Sequence, residues 1–321
     1  MYLICGEALF DVFPRDGAWP AMDLLARPGG SPFNVAIGLA RLGAPVGFLG
    51  GVSADALGVR LREVLVEEGV GLEYLVDTPR PTTLSVIAKD AQGVPSYTFY
   101  GEGGADRMLY AADLPVLPPE VRVLHFGSYT TVVDPVASAF LSWLPKVDTG
   151  RMVSLDPNVR PTVEPDMQRW RDALREWLPH ADVVKVSEED IGLLYPQREV
   201  SALARSMLLE GPRLVVVTHG SQGASAYADG LEVRVPGREV DVVDTVGAGD
   251  SFQAALLHGL KDRERLEQVV ASHELLLATV RMAVTASAIT CTREGANPPR
   301  RQEIEAACAG ASEQAGSNRN F

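Results

Sequence analysis

Short apolar runs ending in small or polar residues recur along the chain. They are Val121–Phe126 before Gly127-Ser128, Met152–Leu155 before Asp156-Pro157-Asn158, Val183–Val186 before Ser187, and Leu214–Val217 before Thr218-His219-Gly220. Helical patterns separate them, and this alternation predicts an α/β fold, a mostly parallel sheet with helices on both faces. Ligands in such sheets gather beyond the C-terminal ends of the strands, which is where most polar residues of interest fall. Two segments break the rhythm, at about 8–27 and 82–110. In the second, Thr83–Ala88 and Tyr97–Tyr100 flank Asp90-Ala91-Gln92-Gly93, which predicts an antiparallel hairpin, and the first adds a further strand. Together they form a small β lid inserted into one domain spanning 1–308. The segment 309–321, rich in Gly, Ser, Asn and Gln, reads as a flexible tail.

One helix opens in an unusual way. In Asp244-Thr245-Val246-Gly247-Ala248-Gly249-Asp250-Ser251-Phe252 a turn of small residues leads directly into an apolar periodicity, with Phe252, Ala255, Leu256, Gly259 and Leu260 at i, i+3, i+4, i+7 and i+8. The helix therefore opens near Gly249. Its first N–H groups lack intrahelical partners and carry the positive end of the macrodipole, while Gly247, Ala248 and Gly249 leave room for an anion. An Asp at such a place is ordinarily a cap or a first-turn charge. Inside an anion-binding turn, however, Asp250 would repel a phosphate unless it had chemical work, and the natural work is taking a proton from an attacking hydroxyl.

Composition narrows the classes. The chain has 321 residues, 46% hydrophobic and 22% charged, enough to bury a large core and unlike a disordered protein. A net charge of −13 argues against a nucleic-acid or anionic-membrane partner, so any nucleotide must be held locally. The N-terminus has no basic, apolar leader pattern, and no run reaches the roughly 18 apolar residues of a membrane span, so a cytoplasmic protein is expected. Cys5, Cys291 and Cys308 are too few and scattered for a disulfide framework or a zinc site. A Walker A loop, a Gly-x-Gly-x-x-Gly fingerprint after the first strand, and the HExxH, GxSxG and protein-kinase HRD elements are all missing.

The Asp244–Asp250 run resembles the C-terminal motif of the ribokinase-type (PfkB) sugar kinases. At the other end of the chain, Pro28-Gly29-Gly30-Ser31-Pro32-Phe33-Asn34-Val35-Ala36 resembles the Gly-Gly…Asn element of the same family. The opening Cys5–Pro14 is similar to that of the family's bacterial fructokinases. The resemblance covers Leu3 to Pro298 and implies an ATP-dependent sugar kinase with a ribokinase-like fold. Asp250 would be the base and Gly247, Ala248 and Gly249 the anion hole. Asp11, Gly29, Gly30, Asn34 and Arg160 would hold the sugar. Asn158, Ser187, Thr218, Gly220 and Gly223 would face the nucleotide. The physical use of Asp11 is that two ionised oxygens can accept from vicinal hydroxyls. In a loose transition state the proton leaves late, so an ordinary carboxylate suffices as the base.

Mg²⁺ with ATP follows from the same resemblance. The family's Asn-x-x-Glu element aligns with Ser187-Glu188-Glu189-Asp190, which departs at both ends and leaves Glu188, Glu189 and Asp190 as the carboxylates that could organise the metal, with Asp190 favoured. Thr290–Pro298 resembles a loop that supplies carbonyls to a monovalent cation. That adds a K⁺ site from Asp244, Val246, Thr290, Arg293 and Gly295, and a homodimer through the lid is expected as well. The substrate most in keeping with the opening is fructose, taken at a primary hydroxyl. A 2-keto-3-deoxygluconate kinase is the alternative, with Arg160 or Arg107 meeting a carboxylate, although Asp11 would repel that group. A non-catalytic sugar-binding protein and a Rossmann dehydrogenase are the rivals from other classes.

Overall fold

The computed structural model describes residues 1–15, 20–89, 95–147 and 150–317. The predicted turn Asp90–Gly93 lies outside them, as do residues 318–321. The strands are β1 (Tyr2–Cys5), β2 (Leu9–Arg15), β3 (Asp23–Gly29), β4 (Val46–Leu49), β5 (Gly51–Ser53), β6 (Val76–Thr78), β7 (Leu84–Lys89), β8 (Pro95–Tyr100), β9 (Val123–Gly127), β10 (Met152–Asp156), β11 (Val183–Ser187), β12 (Leu214–Thr218), β13 (Gly223–Ala228) and β14 (Leu231–Pro236). The helices are α1 (Ser31–Arg41), α2 (Ala56–Glu67), α3 (Val136–Val147), α4 (Met167–Trp177), α5 (Glu188–Leu194), α6 (Val200–Leu208), α7 (Ala248–Leu260), α8 (Arg263–Val270), α9 (His273–Cys291) and α10 (Arg301–Ser317).

The predicted apolar runs pair side by side as the parallel series β4-β1-β9-β10-β11-β12, and β13 and β14 extend it antiparallel beyond β12. Successive strand residues point to opposite faces, so one run feeds two cores. Ile4, Met152, Val183 and Val216 pack with α1, α7 and α9, whereas Leu3, Val153, Val184 and Val217 pack with α3, α4 and α6. Helices on both faces are the consequence, as the pattern predicts.

The lid is a separate sheet in the order β3-β2-β7-β8. It differs from a hairpin with one added strand. The segment 8–27 contributes the antiparallel pair β2 and β3, and β2 joins β7 in parallel, placing Asp11 between Arg27 and Ser85. The expected lid segment also extended to about 110, yet no strand follows Tyr100, because Ala105, Asp106 and Leu109 turn inward and are buried.

Helix α7 starts at Ala248, beside the expected Gly249, with Gly247 as its N-cap; Phe252, Ala255, Leu256 and Leu260 are buried as expected, and its other sides are largely buried too because it packs between α1 and α9. Two further expectations differ from the structure. The helix backbone of α10 continues past Ala309 to Ser317, where composition predicts a tail; Gly and Ser lower helix propensity without forbidding it. Helix α9, with 19 residues and a mean hydropathy of 1.4, is long and apolar enough by length and composition to cross a membrane, although no run was expected to be. Its Leu276, Val280, Ala283 and Ala286 are instead buried in the core.

Candidate active site

Asp250 lies in the first turn of α7, buried, with its carboxylate turned toward the start of α1. Ser31 Oγ donates to Asp250 Oδ1 at 2.7 Å, and Asn34 Nδ2 donates to Oδ2 at 2.8 Å. The two motifs at opposite ends of the sequence thus meet on one carboxylate. Burial raises the Asp250 pKa, while the bonds from Ser31 and Asn34 and the charge of Lys185 pull it down. The carboxylate is therefore somewhat more basic than the ordinary one that sufficed in the sequence argument. Asn34, expected on the sugar, is committed through its amide N–H to holding Asp250.

The turn ahead of α7 needs its glycine. Gly247 has φ +76°, a left-handed conformation that side chains disfavour, and a Cβ there would stand 2.7 Å from Ala296 Cα. The chain can close in this way only without a side chain; the Ala248 N–H is spent on Thr245 O at 3.2 Å, so an anion would be met by the N–H groups that follow it in the first turn of α7.

On the lid side, Asp11 projects from β2 over Gly29. A Cβ on Gly29 would sit 2.5 Å from Asp11 Oδ2, so the missing side chain is what admits the carboxylate. Burial pushes Asp11 up to about 6, partly countered by a hydrogen bond from Ser85 and by the charge of Arg160. Gly30 brings its backbone against Glu7, whose Oε1 accepts from the Ser31 N–H at 3.2 Å. Burial also pushes Glu7 up to about 8. Arg160 follows β10, and its charge opposes the burial-driven rise in the pKa values of Glu7, Asp11 and Asp190.

The predicted nucleotide loop opens onto a cavity of about 660 Å³, within the usual size of a cofactor pocket. Thr218, Gly220 and Gly223 line it, and so do Ala248 and Gly249, which joins the pocket to the anion turn. Its far wall is Phe252 with Val284, Ser287, Ala288 and Cys291 of α9. Neither Asn158 nor Ser187 lines this cavity. Asn158 follows β10 with φ +42°, and Ser187 is the N-cap of α5.

Asp190 is engaged on both oxygens: Oδ1 accepts from the Val159 N–H at 2.9 Å and Oδ2 from the Ser187 N–H at 3.3 Å. Ser187 Oγ in turn accepts from the Asp190 N–H at 3.0 Å, which completes a capping box. As a metal candidate, Asp190 thus has its lone pairs partly spent on tying the Asp156–Arg160 segment to α5. No cluster of three or more His, Cys, Asp or Glu able to hold a metal occurs among the described residues.

Asp244 links the two segments assigned to the cation. Its Oδ1 accepts from the Val246 N–H at 3.1 Å and its Oδ2 from the Gly295 N–H at 2.9 Å. The Thr290 hydroxyl bonds Ser251 at 2.7 Å and the Arg293 guanidinium pairs with Glu303, so only the backbone carbonyls of 290 and 293 could serve an ion. From the lid, Arg27 Nη2 reaches Glu294 Oε1 at 2.5 Å.

Comparison with known proteins decides the family. The sequence profile described as pfkB family carbohydrate kinase matches residues 5–303. The chain belongs to the pfkB family of carbohydrate kinases. It is similar to a fructokinase of Rhizobium leguminosarum bv. trifolii, 40% identical over 81% of this chain and 80% of that one. Among solved structures, a fructokinase from Xylella fastidiosa with bound ATP superposes with a TM-score of 0.86 at 26% identity, covering 97% of this chain and 98% of that one. A fructokinase from Vibrio cholerae O395 in a fructose, ADP and calcium ion bound form gives 0.82 at 29% identity, covering 95% and 97%.

Within this pfkB kinase, sequence reasoning missed two parts of the site. The α9 wall of the cavity carries no motif, since its small and apolar residues read as ordinary core. Lys185, buried in β11 with Nζ 2.8 Å from Asp156 Oδ2, did carry a signal: a lysine inside an otherwise apolar strand. The capping box was also legible, as Ser-x-x-Asp ahead of a helix.

Proposed function

We propose that this carbohydrate kinase is a fructokinase, transferring the γ-phosphoryl group of ATP to a primary hydroxyl of fructose. The observation that carries the proposal is Asp250, clamped by Ser31 and Asn34 at the head of α7, where the anion turn opens into the 660 Å³ cavity. ATP occupies that cavity with its phosphates toward Gly247–Gly249. The sugar lies under the lid, between Asp11 and Asp250. Its hydroxyl oxygen bonds to the γ-phosphorus as its proton passes to Asp250, and the bond to the β-phosphate oxygen breaks to release ADP. Positioning and the N–H groups of Gly249 and Asp250 in the first turn of α7 supply most of the rate enhancement. The lid excludes water that would otherwise accept the phosphoryl group.

Mg²⁺ enters with ATP, where it neutralises phosphate charge, and Asp190, with both oxygens engaged, would reach it only through water. A K⁺ ion beside Asp244, with the carbonyls of Val246, Thr290, Arg293 and Gly295, would firm the turn. The lid also forms a homodimer, supported by the exposure of Met22 (67%), Leu24 (61%) and Tyr100 (63%) on or beside its strands. The protein works in the cytoplasm, where ATP is supplied.

Side-by-side kinase assays with fructose, 2-keto-3-deoxygluconate, ribose and adenosine test the assignment. Fructose should give the highest kcat/KM; a better rate with 2-keto-3-deoxygluconate would overturn fructose while leaving the Asp250 chemistry in place. Asp250→Asn should cut kcat by about 10²–10⁴. Light scattering that gives a 34.4 kDa particle would remove the dimer.

A further inference from the structure

Lys185 is 4% exposed in the middle of the sheet, flanked by Val184 and Val186, which are fully buried. Desolvating an ammonium there is costly, and a buried ion pair is seldom more stabilising than apolar side chains of similar size. Stability alone therefore gives little reason for a lysine at this point. Its Nζ is 2.8 Å from Asp156 Oδ2, and Asp156 Oδ1 has no partner, so the pair is not closed upon itself. The same ammonium lies 3.4 Å from the place where a Cβ on Gly249 would be, directly against the anion turn. Asp156 from β10, Asp190 from α5 and Asp250 from α7 all act on its charge.

We propose that Lys185 is a positioning residue of phosphoryl transfer: held by Asp156 against Gly249, its ammonium is the fixed positive charge at the floor of the anion turn. The proposal rests on Asp250 being the base. During transfer the sugar proton goes to Asp250, the new O–P bond forms and the bond to the leaving ADP breaks. Lys185 neither gives nor takes a proton. It offsets the negative charge that the carboxylates and the moving phosphoryl group bring together in a site shielded from water.

Lys185→Met alone would leave Asp156 buried and unpaired, so the test uses Lys185→Met with Asp156→Asn, which removes the pair without leaving a charge. The double variant should melt near the wild-type temperature and keep KM for fructose and ATP within a few-fold, while kcat falls by about 10–10³. Wild-type kcat in that folded variant overturns the proposal. Asp156→Asn alone keeps the ammonium, whose hydrogen bond the amide oxygen can still accept and so hold it against Gly249, and this variant should lose less than about tenfold in kcat. A loss in the range of about 10–10³ expected of the pair would mean that the ion pair, not the ammonium, matters, and it would overturn the proposal even if the double variant failed to fold. Asp250→Asn, measured alongside, fails separately: if it turns over at the wild-type rate, the base itself is wrong.

Discussion

Removing the Asn34 side chain probes the joint between the two ends of the chain. In Asn34→Ala, Asp250 loses the 2.8 Å bond to Oδ2 and keeps only Ser31 on Oδ1. A hydrogen bond to a charged group is worth about 1.5–3 kcal/mol, and at about 1.4 kcal/mol per decade its loss should slow kcat roughly 10- to 150-fold. The sign of the pH effect follows from the same bond. Asn34 stabilises the ionised carboxylate against burial, so its removal raises the Asp250 pKa further above the ordinary value. More of the enzyme is then protonated at neutral pH. The loss in kcat should be largest at acid pH and should shrink as pH rises, with the acid limb displaced upward. The assay is coupled ADP release over a range of pH, fitted for kcat and for KM of each substrate. A higher KM for the sugar, with kcat and its pH profile unchanged, would refute the clamp and return Asn34 to the sugar.

Three further outcomes can be checked directly. Asp11, pushed up to about 6, loses its charge as pH falls through that value, so KM for fructose should rise on the acid side while KM for ATP stays level. Asp11→Ala should abolish that dependence and lower kcat/KM about tenfold to a hundredfold, and a persistent acid limb in the variant would assign it to another group. Replacing K⁺ with a bulky organic cation at constant ionic strength should lower activity, and indifference to the exchange would remove the ion from Asp244 and its loops. Gly247→Ala forces a left-handed alanine, costing about 1–2 kcal/mol, and drives Cβ against Ala296; Tm and kcat should both fall, and an unaltered Tm would show that the turn relaxes without strain.

What the sequence determined by itself is what is encoded locally. Val183–Val186 and Leu214–Val217 read as strands because neighbouring residues carry the pattern. Gly247–Asp250 reads as an anion turn because the small residues and the carboxylate adjoin the start of a helix. The Ser187–Asp190 box was equally local and could have been read from its spacing. Tertiary structure decided what depends on residues far apart in the chain. Asn34 and Ser31 lie more than 200 positions from Asp250, so nothing in either motif says that one clamps the other rather than touching the sugar. The α9 wall of the cavity beside the Gly247–Gly249 turn is chemically ordinary core until α7 is packed beside it. Lys185 shows the division most plainly. The sequence places a charge in a strand, but whether that charge is a misfit, a salt bridge or part of a phosphate site depends on what the fold sets against it. Here that is Asp156 from the neighbouring strand and Gly249 from the helix lying across the sheet.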